Sequence, residues 1–194
     1  MKKALEVSSL YKRINKSVIL NNVNICVEQN SICGITGRNA SGKSMFFKTI
    51  VGLAPYDEGD VKILGRSVDS ADALQCIGAL IEYPGLLPQF SAWNNLEMIA
   101  KMRDAYNRSY IYELMDSIGL EYNDTRAIKK YSLGMRQKVG IIAALLTKPE
   151  LIILDEPMNN LDAESIILVR ELIRQQQKHG ATILISSHSR EDID

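Results

Sequence analysis

Three things are scarce in this sequence, and each scarcity excludes a class of function. Long hydrophobic runs are missing. A representative uninterrupted stretch, Ile141-Ile142-Ala143-Ala144-Leu145-Leu146, falls far below the roughly 20 apolar residues a bilayer-spanning helix needs. Excess charge is missing too, with 23 Lys+Arg against 23 Asp+Glu. That balance argues against a dedicated nucleic-acid binder, whose basic footprint supplies most of the affinity, and against a polybasic membrane anchor. Cysteine is sparse, and Cys26, Cys33 and Cys76 lack metal-type spacing, so reduced core thiols of a cytosolic protein are expected. Met1-Lys2-Lys3-Ala4-Leu5-Glu6 has two lysines with no apolar segment behind them, which does not read as a signal peptide. What remains is 194 residues, 46% hydrophobic and 24% charged. This is the composition of a globular protein, either one large domain or a domain with an inserted subdomain.

The strongest local pattern is strand, Gly-rich turn, helix. Residues 31–36 form a short apolar run, residues 37–44 the turn, and residues 45–51 a helix stopped by Gly52. Val18-Ile19-Leu20 and residues 23–27 read as two earlier strands, and residues 59–65 as a later one bounded by glycines. From Ser91 to about Leu120 the pattern turns helical, with Ile111, Leu114, Met115 and Ile118 on one face and Gly119 as the stop. Ser132 opens a further helix. Leu151-Ile152-Ile153-Leu154 then reads as a buried parallel strand. It is followed by a helix over 163–178, with Ile166, Ile167, Val169, Leu172 and Ile173 as its apolar face, and by a strand over 181–185. Strands alternating with helices predict a parallel sheet that binds ligands at the carboxyl ends of its strands.

The turn carries the chemistry. Gly37-x-x-x-x-Gly42-Lys43-Ser44, flanked by strand and helix, has the pattern and setting of a P-loop. Its backbone N–H groups, along Gly37, Arg38, Asn39, Ala40, Ser41, Gly42, Lys43, Ser44 and Met45, are suited to cradle phosphate oxygens at a helix N-terminus. Lys43 is placed for the β- and γ-phosphates and the Ser44 hydroxyl for Mg²⁺. Asp155, at the end of a buried strand, can support the same Mg²⁺. Glu156 follows it directly, so its side chain should leave the opposite side of the strand end and polarise a water for attack on the γ-phosphate. A nucleotide site follows from these residues.

With these motifs the chain resembles the ATP-binding subunit of an ABC transporter over essentially its whole length. That resemblance implies an α/β fold: a P-loop NTPase core with a mostly parallel sheet, an N-terminal antiparallel β subdomain and an inserted helical subdomain. The expected division is 1–82, 83–135 and 136–194, with a shortened C-terminal part, since little chain follows His188. The family's signature Leu-Ser-Gly-Gly-Gln corresponds to Tyr131-Ser132-Leu133-Gly134-Met135, where Ser132 and Gly134 match. In the family this motif reaches the nucleotide of a second subunit, so the resemblance implies two ATP molecules held in a head-to-tail dimer. Asn159-Asn160-Leu161-Asp162 matches the loop that lines that interface, and His188 matches the histidine that contacts the γ-phosphate. Separate transmembrane permease subunits, coupled through the loop from Glu82 to Gln89, and a place on the cytoplasmic face of the membrane are implied as well.

Two positions depart from the family pattern. Glu82 stands where Gln is usual, at a position that orients Mg²⁺ or water. Together with Tyr131-Ser132-Leu133-Gly134-Met135 it is similar to the branch that exports, or confers immunity to, peptide antibiotics such as bacitracin and lantibiotics. The adenine-stacking aromatic is replaced by Ile14, with Tyr11 three residues earlier, leaving either residue to meet the base. An ABC ATPase acting on nucleic acid or ribosomes is the alternative, disfavoured by neutral charge and the lack of coiled-coil inserts. A small-molecule P-loop kinase leaves Ser132 and His188 unexplained. If Lys43 holds the phosphates, Lys43→Ala abolishes nucleotide binding in an equilibrium titration; a normal affinity would contradict the assignment.

Overall fold

A computed structural model describes residues 2–38 and 40–187. The chain opens with two long strands, β1 (Lys3–Ile14) and β2 (Ser17–Glu28), followed by β3 (Ile32–Thr36) and helix α1 (Lys43–Ile50). Next come β4 (Glu58–Ile63), β5 (Arg66–Ser67), α2 (Ala71–Gln75) and β6 (Ile77–Leu80). A helical stretch holds α3 (Ala92–Met102), α4 (Arg108–Ser117), a 3₁₀ turn (Ile128–Lys130) and α5 (Leu133–Leu145). The chain then returns to β7 (Leu151–Asp155), α6 (Ala163–Lys178) and β8 (Thr182–Ser187).

Two sheets result. β2-β1-β4-β5 is antiparallel, and β3-β8-β7-β6 pairs in parallel throughout. The expected antiparallel β subdomain, parallel core and inserted helices are therefore all present. β7 and β8 read as continuous apolar runs because both of their faces are covered. Leu151, Ile153 and Leu184 pack toward α1 and the antiparallel sheet. Ile152, Leu154, Ile183 and Ile185 pack toward α3 to α6. In-register pairing of Thr36 with Ser187 and of Asp155 with Ser186 brings three strand ends to one edge of the sheet.

Several elements differ from the sequence expectation. Val18-Ile19-Leu20 and residues 23–27 belong to one strand; the apparent break is Asn22, at φ 49°. There the ladder shifts register, pinned by Asn24, which accepts from the Ser9 amide and donates to the Asn22 carbonyl. Residues 91–120 hold two helices rather than one pattern, because the chain reverses after Met102 and Asn107 caps α4. Ile167 is 65% exposed and off the apolar face of α6. Cys26 is exposed rather than in the core, since it lies on the open side of β2; Cys33 and Cys76 are partly buried, and all three thiols are free. Among the described residues no helix is long and apolar enough to cross a membrane.

Close packing of α5 on β6 depends on Gly78. A Cβ there would overlap the Ala144 carbonyl oxygen and lie 2.7 Å from Pro149 Cγ. Both neighbours are held by backbone, so Gly78→Ala should destabilise the fold by about 2–3 kcal/mol. The expected loss in thermal midpoint is about 5–10 °C; an unchanged midpoint would contradict this packing.

Candidate functional site

The N-terminus of α1 differs from every other α-helix start among the described residues. α2 to α6 are each capped by a side chain, from Ser70, Ser91, Asn107, Ser132 and Asp162 in turn. α1 starts from Gly42 with no side-chain cap. Gly42 sits at φ 94°, and a Cβ there would lie 2.9 Å from the Ile19 carbonyl, so only glycine fits this turn. The first-turn N–H groups and the positive end of the helix dipole thus meet a cavity of about 460 Å³. Residues 40–45, Arg38, Asp155 and Glu156 line it, with Ile14 and Ile19 at one end. This arrangement suits a polyphosphate.

The charged groups are tied to one another and to strand ends. Lys43 Nζ donates to the Gly37 carbonyl at 2.7 Å and lies 3.3 Å from Glu156 Oε1. The Glu156 side chain therefore reaches the P-loop lysine, instead of leaving the far side of the strand end as the sequence suggested. Glu156 has φ 49°, and that left-handed backbone turns its side chain back. Asp155 is buried, and its Oδ1 accepts from Ser186 Oγ at 2.6 Å. The same Ser186 oxygen accepts from the Glu156 amide at 2.8 Å, so one fully buried hydroxyl sets both acidic residues. Gln137, buried on α5, donates to the carbonyls of Glu156 and Pro157 at 3.3 Å each. It fixes the turn from the side of the signature helix.

A second cavity, of about 590 Å³, shares Ser44, Asp155 and Glu156 with the first. Glu82 lines it and is ion-paired with Lys48 Nζ at 2.7 Å. Ser44, Glu82 and Asp155, the expected metal residues, are thus brought together. The described residues contain no group of three or more His, Cys, Asp or Glu that could hold a metal by itself. This donor set fits Mg²⁺, which takes one or two protein ligands and completes its shell with phosphate oxygens and water.

Ser132 and Gly134 line neither cavity, but their neighbours Leu133 and Arg136 line the second, together with Asn159 and Asn160. Ser132 caps α5, accepting from the Met135 amide at 3.1 Å, and a Cβ on Gly134 would lie 2.5 Å from the Asn160 carbonyl. Asp162 caps α6, and hydrogen bonds from Ser165 hold its carboxyl below the usual range. Of the two candidates for the base, Ile14 lines the P-loop cavity; Tyr11 faces Arg13, 5.9 Å from its ring. Asn39 and His188 lie outside the described residues. Ser186, Gln137 and Lys48 contact the site's acidic residues or their turn, and motif reading gives none of them a role. The signals were present: a polar Ser186 ending an apolar strand, a Gln inside an apolar helix, and a Lys one turn after Ser44.

The uncapped helix behind a glycine turn, the acidic strand end and the parallel sheet define a P-loop nucleoside-triphosphatase. A family model described as ABC transporter matches residues 20–159, and the chain belongs to that family. It is an ABC transporter ATP-binding domain, and such domains are ATPases. The ABC transporter ATP-binding protein YybJ of Bacillus subtilis (strain 168) is 35% identical over 190 residues, covering 97% of this chain and 87% of the relative. The lantibiotic transport ATP-binding protein SrtF of Streptococcus pyogenes is 37% identical over 190 residues, covering 98% and 82%. A solved ATP-binding subunit of an ABC transporter superposes with a TM-score of 0.85 at 28% identity, covering 95% of this chain and 79% of that one. The nucleic-acid or ribosome reading finds no support in these likenesses.

Ser186→Ala removes the hydroxyl from a fully buried site and leaves Asp155 and the Glu156 amide short of a partner. ATPase activity should fall at least tenfold, with about 1–3 kcal/mol of lost stability. Native turnover would contradict the ordering role.

Proposed function

We propose that this chain is the ATP-hydrolysing subunit of a transporter that exports peptide antibiotics or related compounds. The observation that carries the mechanism is the placement of Lys43 between the P-loop carbonyls and Glu156. A γ-phosphate at the N-terminus of α1 competes for the same ammonium. When Lys43 turns to the phosphate, Glu156 is released from its ion pair and becomes free to accept a proton from an attacking water. Asp155, oriented by Ser186, and Ser44 would hold Mg²⁺, with Glu82 lining the same cavity. When bound, the ion neutralises charge that develops on the leaving phosphate. His188 is assigned to the γ-phosphate.

Ser132 and Gly134, at the N-terminus of α5 whose Leu133 and Arg136 border the second cavity, serve a second copy or a homologous subunit in a head-to-tail dimer. Each signature helix N-terminus then closes on the partner's nucleotide. ATP holds the dimer together and hydrolysis releases it. The loop from Glu82 to Gln89 passes this closure to separate transmembrane permease subunits, placing the chain on the cytoplasmic face of the membrane. The export reading is supported by Glu82, by the sequence around Ser132 and by the likeness to a lantibiotic transport protein.

Glu156→Gln keeps its size but loses its basicity. It should retain ATP affinity, lower turnover by at least 100-fold and accumulate as an ATP-bound dimer in size-exclusion chromatography. Unchanged turnover would refute the base assignment. Purification from native membranes should recover a stoichiometric multi-span subunit, and recovery of ribosomes or nucleic acid instead would refute transport.

A further inference from the structure

Three carboxylates border the cavity that adjoins the P-loop: Glu82, Asp155 and Glu156. Two of them have partners already described, the Ser186 hydroxyl for Asp155 and the Lys43 ammonium for Glu156. The third is met by a residue that plays no part in the mechanism above. Lys48 lies four residues after Ser44 on α1, hence on the same side of the helix. Its Nζ reaches across to Glu82 Oε1 at 2.7 Å, joining α1 to the loop that follows β6. Glu82 has φ 59°, a left-handed conformation uncommon for a residue with a side chain.

The partners' side chains are 30% and 47% exposed, and an ion pair that wet adds little to folding stability. Its effect should fall on whatever shares the cavity. A nucleoside triphosphate brings several negative charges beside Glu82, and one uncompensated carboxylate at that range opposes binding through a partly shielded medium.

We propose that Lys48 is a positioning residue of the nucleotide site. Its ion pair draws the Glu82 carboxylate against α1 and neutralises it, so that the carboxylate-lined space beside the P-loop cavity does not repel a polyphosphate bound there. Lys48 acts on the nucleotide through Glu82, not by touching it. This rests on the reading of the adjoining P-loop cavity as the ATP site.

A double-mutant cycle tests it, with a fluorescent ATP analogue titrated into the purified full chain in EDTA, so that no hydrolysis and no metal enter the readout. Lys48→Gln should weaken binding about five- to tenfold in the native background. It should do so less than twofold in the Glu82→Gln background. Lys48→Arg, which keeps the charge, should recover most of the native affinity, and raising the salt should shrink the Lys48→Gln effect. An equal loss in both backgrounds would overturn the proposal, because Lys48 would then act on the nucleotide directly. No loss in the native background would overturn it as well. Failure of the native chain to bind the analogue would instead remove the ATP-site reading, and the proposal with it.

Discussion

The site depends on the in-register parallel pairing of β3, β8 and β7. That register sets Thr36 beside Ser187 and Asp155 beside Ser186, which delivers the P-loop and both acidic residues to one edge. A slip of one residue would turn every strand side chain to the other face. It would separate Asp155 from the hydroxyl that orients it and bury Glu156's neighbour against the wrong core. The alternation of Leu151 and Ile153 toward one cluster, with Ile152 and Leu154 toward the other, resists such a slip. Packing on both faces of the sheet is therefore what holds the chemistry in place.

Electrostatics at that edge is a matter of shared partners. α1 contributes uncapped amides and two cations, Lys43 and Lys48. Each cation is engaged by a carboxylate, Glu156 for the first and Glu82 for the second. A triphosphate has to displace the first pair and tolerate the second. The exposed Lys48–Glu82 pair and the sheltered Lys43–Glu156 pair thus have different consequences, because water screens the former far more than the latter.

Much of this was legible in the sequence, and the rest depends on strand register, distant partners or local backbone conformation. The P-loop, the strand at Leu151 and the helix at 163–178 are contiguous patterns, so local reading finds them. β1 escaped because its apolar residues, Ala4, Leu5, Val7 and Leu10, depart from strict alternation where the ladder shifts register. β2 looked broken for the same reason, at Asn22. The partners that tune the site are far apart in the chain, 31 residues for Asp155 and Ser186 and 34 for Lys48 and Glu82. No periodicity links such pairs; only the sheet register and the packing of α1 bring them together. Adjacency to Asp155 alone sends Glu156 to the opposite side of the strand end, whereas its left-handed backbone turns it toward Lys43.

The central claim is that phosphate and Glu156 compete for one ammonium. A crystal structure of the chain with a non-hydrolysable ATP analogue and Mg²⁺ tests it most directly. The account predicts that Lys43 Nζ contacts phosphate oxygens and has moved beyond ion-pair distance of Glu156, with the phosphates on the amides of α1. A nucleotide bound away from those amides, or Lys43 still paired with Glu156 beside bound phosphate, would contradict it.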